Sequence, residues 1–147
     1  MVPTEIDRQA QYHKLGNVGP PGTIPGLAHY SVHTPIQPKA EYKAYFDKRE
    51  PDRGHRNAGY AAMVRSMDES LGRVRKALRE LDLEHNTVVI FTSDNGGMEG
   101  HPGEVITDNY PLDKGKISLM EGGTRVPLIV TGPGIVKGVE SDVMVNG

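Results

Sequence analysis

The sequence predicts an α/β domain, on three observations. A long amphipathic helix spans roughly residues 58–81. A short apolar run follows over residues 87–92 and breaks off in Ser93-Asp94-Asn95-Gly96-Gly97. A second apolar run, Val126-Pro127-Leu128-Ile129-Val130-Thr131, stops at Gly132-Pro133-Gly134. Strand and helix patterns in one short chain indicate a sheet with helices packed against it. Eighteen Gly and eleven Pro make up roughly a fifth of the 147 residues, so long irregular connections are expected.

Residues 1–26 are polar and then rich in Gly and Pro, which predicts a poorly structured segment with a short helix over about 5–14. Residues 27–34 read as a strand ending at His33, broken by Pro35 and Pro38. A short helix is expected over 39–46 and a charged loop over 47–56. The long helix carries Tyr60, Met63, Met67, Leu71, Val74, Leu78 and Leu81. Those spacings of three and four build one apolar stripe. Asn57 suits the N-cap. Gly72 costs about 1 kcal/mol in a helix interior and hints at close packing there. Arg73, Arg75, Lys76 and Arg79 complement the dipole toward the C-terminal half and read as a solvated face.

A turn over 82–86 leads into the first apolar run. That run shows no alternation, which fits a strand buried on both faces inside a parallel sheet. Residues 94–125 show no clear periodicity, and loops of that length in compact domains are usually functional or disordered. Pro127 is tolerated at the start of the second strand. Val143-Met144-Val145 opens another apolar stretch.

A net charge of −2, with both signs mixed along the chain, leaves no footprint for nucleic acid. No apolar run approaches the ~20 residues needed to cross a bilayer. The first residues lack the basic start and apolar centre of a signal peptide. Without Cys, a disulfide, a thiolate nucleophile and a zinc–thiolate site are excluded.

Three places have the character of a site. Asp94 and Asn95 follow the first apolar run at its carboxyl end, where ligands bind in open α/β sheets. Their adjacent oxygens suit a hard divalent cation, calcium or magnesium. They would equally make an Asp-Asn-Gly turn. His33 can donate a hydrogen bond to an anion or act as a general acid, or be an ordinary surface residue. Lys116, in a Gly-punctuated loop, can meet a phosphate or sulfate oxygen as a compact point charge. Lys114 is an equal candidate on composition. Glu121 and Arg125 flank two glycines as a structural ion pair, and His101 beside Pro102 is a further candidate for lining the same cleft.

Four stretches resemble the sulfatases, formylglycine-dependent sulfuric ester hydrolases of the alkaline phosphatase superfamily, and arylsulfatases most. They are Tyr30-Ser31-Val32-His33-Thr34-Pro35, then Ala58-Gly59-Tyr60-Ala61-Ala62-Met63-Val64 with Met67-Asp68. The strand ending in Ser93-Asp94-Asn95-Gly96-Gly97 is the third, and Gly115-Lys116 with Glu121-Gly122-Gly123-Thr124-Arg125-Val126-Pro127 the fourth. The resemblance implies a partial alkaline-phosphatase-like mixed sheet flanked by helices, with residues 27–147 forming part of a catalytic domain. It implies a divalent metal, calcium or else magnesium, with Asp94 and Asn95 as two ligands. By position His33 resembles the histidine that contacts the leaving oxygen, and Lys116 the lysine that binds the sulfate. The implied substrate is a sulfate-ester small molecule or a sulfated glycan. The implied location of a full-length parent is periplasmic or secreted.

The departures bear on activity. The family's formylglycine is made from the Cys or Ser of a Cys/Ser-x-Pro-x-Arg motif, and no serine here starts one. No equivalents appear of the family's first metal carboxylates or of its second histidine and lysine. The expectation is a middle piece of a longer sulfatase, inactive on its own. The alternatives are a phosphodiesterase or phosphonate-ester hydrolase of the same superfamily, and a non-catalytic vestigial α/β domain.

Overall fold

The stripe of apolar residues forms the longest element in a computed structural model, which describes residues 26–101 and 104–145. The segment 1–25, with the expected helix over 5–14, lies outside the described residues. Helix α1 is Ala40–Phe46 and helix α2 is Ala58–Glu80. A 3-10 turn, Glu84–Asn86, leads into strand β1, Val89–Thr92. Short strands β2, Gly100–His101, and β3, Glu104–Val105, pair as a hairpin. Helix α3, Glu121–Thr124, precedes strand β4, Leu128–Thr131. The chain divides into two units. One is Met1–Lys48 with Ala58–Leu71; the other is Arg49–Asn57 with Gly72–Gly147.

In the first unit, Gly59, Ala62, Met63 and Ser70 are the buried positions of α2. The Ser70 hydroxyl is 2.8 Å from Nε2 of His29. Side chains also fasten α1 to α2. The Tyr42 hydroxyl donates to Glu69, whose carboxylate is also 3.8 Å from the Lys39 ammonium. The Arg65 guanidinium lies 4.4 Å from the Tyr42 ring centroid and 5.2 Å from that of Tyr45. Cations over aromatic faces are held by the ring quadrupole. The hydrogen bond from Tyr42, aided by Lys39 and Arg65, holds the Glu69 carboxyl below its ordinary value.

Two local expectations change here. Residues 27–34 are not a strand: the His33 amide donates to the Tyr30 carbonyl at 2.8 Å, closing a turn. The Tyr30 hydroxyl donates to the Thr34 carbonyl and pulls the segment round further. Gly72 marks no close packing, since a Cβ there would meet nothing within 4 Å.

In the second unit, β1 and β4 pair antiparallel, with Ile90 opposite Val130 and Phe91 opposite Ile129. A parallel sheet interior covered on both faces is not what forms. Ile90 is 58% exposed and Ile129 57%, and among the described residues no third strand joins the pair. A four-residue apolar run reads the same in either strand direction, and the long connection returns through α3 just before β4. A mixed sheet accommodates such a pair. No described helix is long and apolar enough to cross a membrane.

Candidate functional site

The connection between β1 and β4 is built largely from backbone. Directly after β1, the Ser93 hydroxyl donates to the Asn95 carbonyl at 2.8 Å and curls the chain. Asp94 is exposed and Asn95 half-buried. Neither side chain has a hydrogen-bond or ion-pair partner among the described residues.

The next residues are locked from three directions. The Gly96 amide donates to the Gly123 carbonyl at 2.9 Å, which ties the loop to α3. The Gly97 carbonyl accepts from the Lys116 amide at 2.9 Å and from the Asn109 side chain at 2.9 Å. The Gly122 amide donates to the Asp113 carbonyl at 2.9 Å. This crossing is possible because of glycine. A Cβ on Gly96 would collide with the Gly122 carbonyl, and one on Gly122 with the Lys114 carbonyl. One on Gly115 would strike the Gly97 carbonyl, and one on Gly123 the Ser118 carbonyl. Backbone approach of this kind leaves no room for a side chain.

Three expected site residues therefore share one framework: Asp94, Asn95 and Lys116. Lys116 is half-buried, with its amide on the Asp94–Asn95 loop and its ammonium without a partner among the described residues. Lys114 is exposed, at φ +62°, and presents its carbonyl to Gly122. The Glu121–Arg125 pair is present at 3.8 Å but exposed, so it shapes the loop far less than the glycine contacts do. His101 lies in β2, with its side chain outside the described set.

His33 belongs to the first unit. Its Nδ1 lies 2.6 Å from the Thr34 carbonyl, and its ring centroid is 5.4 Å from that of Tyr30. A carbonyl only accepts, so Nδ1 carries a proton and Nε2 is the atom left to exchange one.

Two hard oxygen donors match the chemistry of calcium or magnesium, but calcium takes six to eight oxygens. Among the described residues no three His, Asp or Glu side chains gather as a metal site. Sequence reasoning missed Asn109, whose partner Gly97 only folding brings near. The Asp108-Asn109-Tyr110-Pro111 stretch signals a turn and nothing more.

Comparison with known proteins gives a consistent result. The family model described as Sulfatase matches residues 26–145. The chain is 40% identical to a sulfatase of Formosa agariphila, over 75% of this chain and 21% of that protein. It is 30% identical to the N-acetylgalactosamine-6-sulfatase of Homo sapiens, over 89% of this chain and 22% of that one. Among solved structures it resembles Ps i-CgsB, with a TM-score of 0.61 and 38% identity over 74% of this chain and 22% of the other. Ps i-CgsB has also been crystallised with k-i-k-neocarrahexaose. The chain spans about a fifth of the length of these relatives.

Proposed function

This chain belongs to the sulfatase family, and on that premise we propose that the protein it is part of hydrolyses sulfate esters. Its fold is the family's α/β, alkaline-phosphatase-like one in part. One observation carries the reading. The loop bearing two oxygen donors, and the Lys116 amide, meet at a single carbonyl, that of Gly97, and among the described residues neither those donors nor the Lys116 ammonium has a partner.

Hydrolysis of such an ester needs the sulfate oxygens neutralised and a proton delivered to the departing alkoxide. Lys116 supplies a point charge for a sulfate oxygen. Asp94 and Asn95 would supply two of the oxygen ligands to calcium, or to magnesium. When bound, such a cation withdraws charge from the sulfate oxygens. His33 takes the role of proton donor through Nε2, its other nitrogen being held by Thr34. Residues 27–147 act in this reading as part of a catalytic domain.

A formylglycine does not fit this chain. It has no Cys and no Ser-x-Pro-x-Arg motif, so no nucleophilic step is assigned to its residues. The 147-residue chain is accordingly expected to turn over no aryl sulfate. The substrate class proposed is a sulfated glycan. The likeness to an N-acetylgalactosamine-6-sulfatase and to a protein crystallised with a hexaose supports it. Family membership favours sulfate over phosphate and phosphonate esters.

The test is a titration of the ¹⁵N-labelled chain with sodium sulfate and, separately, with calcium chloride. Sulfate is expected to shift the Lys116 amide signal, and calcium those of Asp94 and Asn95. Lys116→Ala removes sulfate binding and Lys114→Ala leaves it. Sulfate binding that depends on Lys114 instead, or no response to either ion, overturns the assignment.

A further inference from the structure

We infer that Asn109 is a positioning residue, whose side-chain amide holds the loop carrying Asp94 and Asn95 in register with Lys116. The roles of those three rest on the function proposed above; the geometry of Asn109 does not.

The ladder beside this loop changes its material along its length. The Ile106 amide donates to the Glu99 carbonyl at 3.2 Å, and the Thr107 amide to the Met98 carbonyl at 3.2 Å. The backbone then turns away, with the Tyr110 amide donating to the Asp108 carboxylate at 2.9 Å. At Gly97 the Asn109 side chain takes over from backbone. The Gly97 amide donates to Asn109 Oδ1 at 3.1 Å, and Asn109 Nδ2 donates to the Gly97 carbonyl at 2.9 Å. One side chain thus satisfies both polar groups of one backbone residue. The two partners also fix which end of the amide is oxygen and which is nitrogen.

The Gly97 carbonyl has two lone pairs, and Asn109 occupies only one. The other takes the Lys116 amide at 2.9 Å. Asn109 and Lys116 are therefore joined through one oxygen atom. Gly115 stands beside that junction, where a Cβ would strike both Gly97 O and Asn109 Nδ2. The arrangement demands an amide at 109. A carboxylate would keep the acceptor and lose the donor, and a leucine of similar shape would lose both.

The experiment compares amide hydrogen exchange in the chain with that of Asn109→Leu and Asn109→Asp, together with sulfate titration. In Asn109→Leu the Gly97 and Lys116 amides are expected to exchange at least tenfold faster, while the α2 amides keep their rates. Sulfate binding at the unmutated Lys116 weakens several-fold. In Asn109→Asp the Gly97 amide keeps its protection and the Lys116 amide loses part of its own. If Asn109→Leu does not fold, as loss of α2 protection would reveal, Asn109→Asp decides the matter. Faster exchange at Gly97 alone, with Lys116 protection and sulfate affinity unchanged, makes Asn109 a local plug and overturns the inference. If the wild-type chain shows no sulfate response, the proposed function fails while the exchange rates still judge Asn109.

Discussion

His33 and Thr34 are neighbours in sequence, and the ring of one is fixed by the carbonyl of the other, with Nδ1 2.6 Å from the oxygen. Since that oxygen accepts only, neutral His33 is the Nδ1–H tautomer. Long-range ¹H–¹⁵N correlation spectra of the neutral ring should show Nε2 as the unprotonated nitrogen. A spectrum dominated by Nε2–H would show that the Thr34 carbonyl does not hold Nδ1–H, and the assignment of Nε2 as the exchanging nitrogen would fall.

The contact between α1 and α2 should be sensitive to acid. Glu69 is held below its ordinary value of 4.5 first by the Tyr42 hydroxyl, then by Lys39 and Arg65. A lowered carboxylate pKa adds stability that is complete above the unfolded value. That stability is lost as pH falls through the folded value. Carbon-detected titration of the Glu69 carboxyl should give a midpoint below 4.5, and Tyr42→Phe should move it upward. An unchanged midpoint in Tyr42→Phe would show that the hydroxyl is not the cause.

Two glycine-to-alanine changes should act in opposite directions. Gly72 lies in open space on α2, so Gly72→Ala should stabilise by about 1 kcal/mol through helix propensity and a less flexible unfolded chain. Gly122 faces the Lys114 carbonyl, so Gly122→Ala should cost about 1–3 kcal/mol as the loops are pushed apart. Urea unfolding of each variant measures both. Equal effects of the two substitutions would mean that the loop crossing is slack.

The exposed pair β1–β4 should govern self-association. Ile90, Leu128, Ile129 and Val130 are all exposed, and unpaired strand edges template pairing between chains. A charge placed in the middle of the pair, as in Ile129→Lys, is expected to reduce association at least several-fold in sedimentation velocity. If the variant associates as strongly as the parent chain, the sheet is not the sticky surface.

Helix α2 was legible in the sequence because Tyr60 to Leu78 repeat at helical spacing, and the structure ends it one residue before Leu81. The strand cores were legible too, as Val89–Thr92 and Leu128–Thr131. Their relative direction was not, since an apolar run carries no arrow. The turn at Tyr30 was hidden because an apolar pattern shows neither the backbone bond from His33 that closes it nor the Tyr30 hydroxyl reaching four residues along the chain. Asp94, Asn95 and Lys116 could be named from chemistry and resemblance. Asn109 could not, because its significance lies in what it meets twelve residues away.

Gly96, Gly115, Gly122 and Gly123 each stand where another segment's carbonyl already occupies the room a side chain would need. The crossing of these segments is consequently written in main chain, and Asn109 is the side chain that pins it. The surrounding exposed residues, Tyr110, Ile117 and Leu119 among them, are free to vary without redrawing the scaffold beneath. The four glycines themselves should prove the least exchangeable letters in any randomised library of this region.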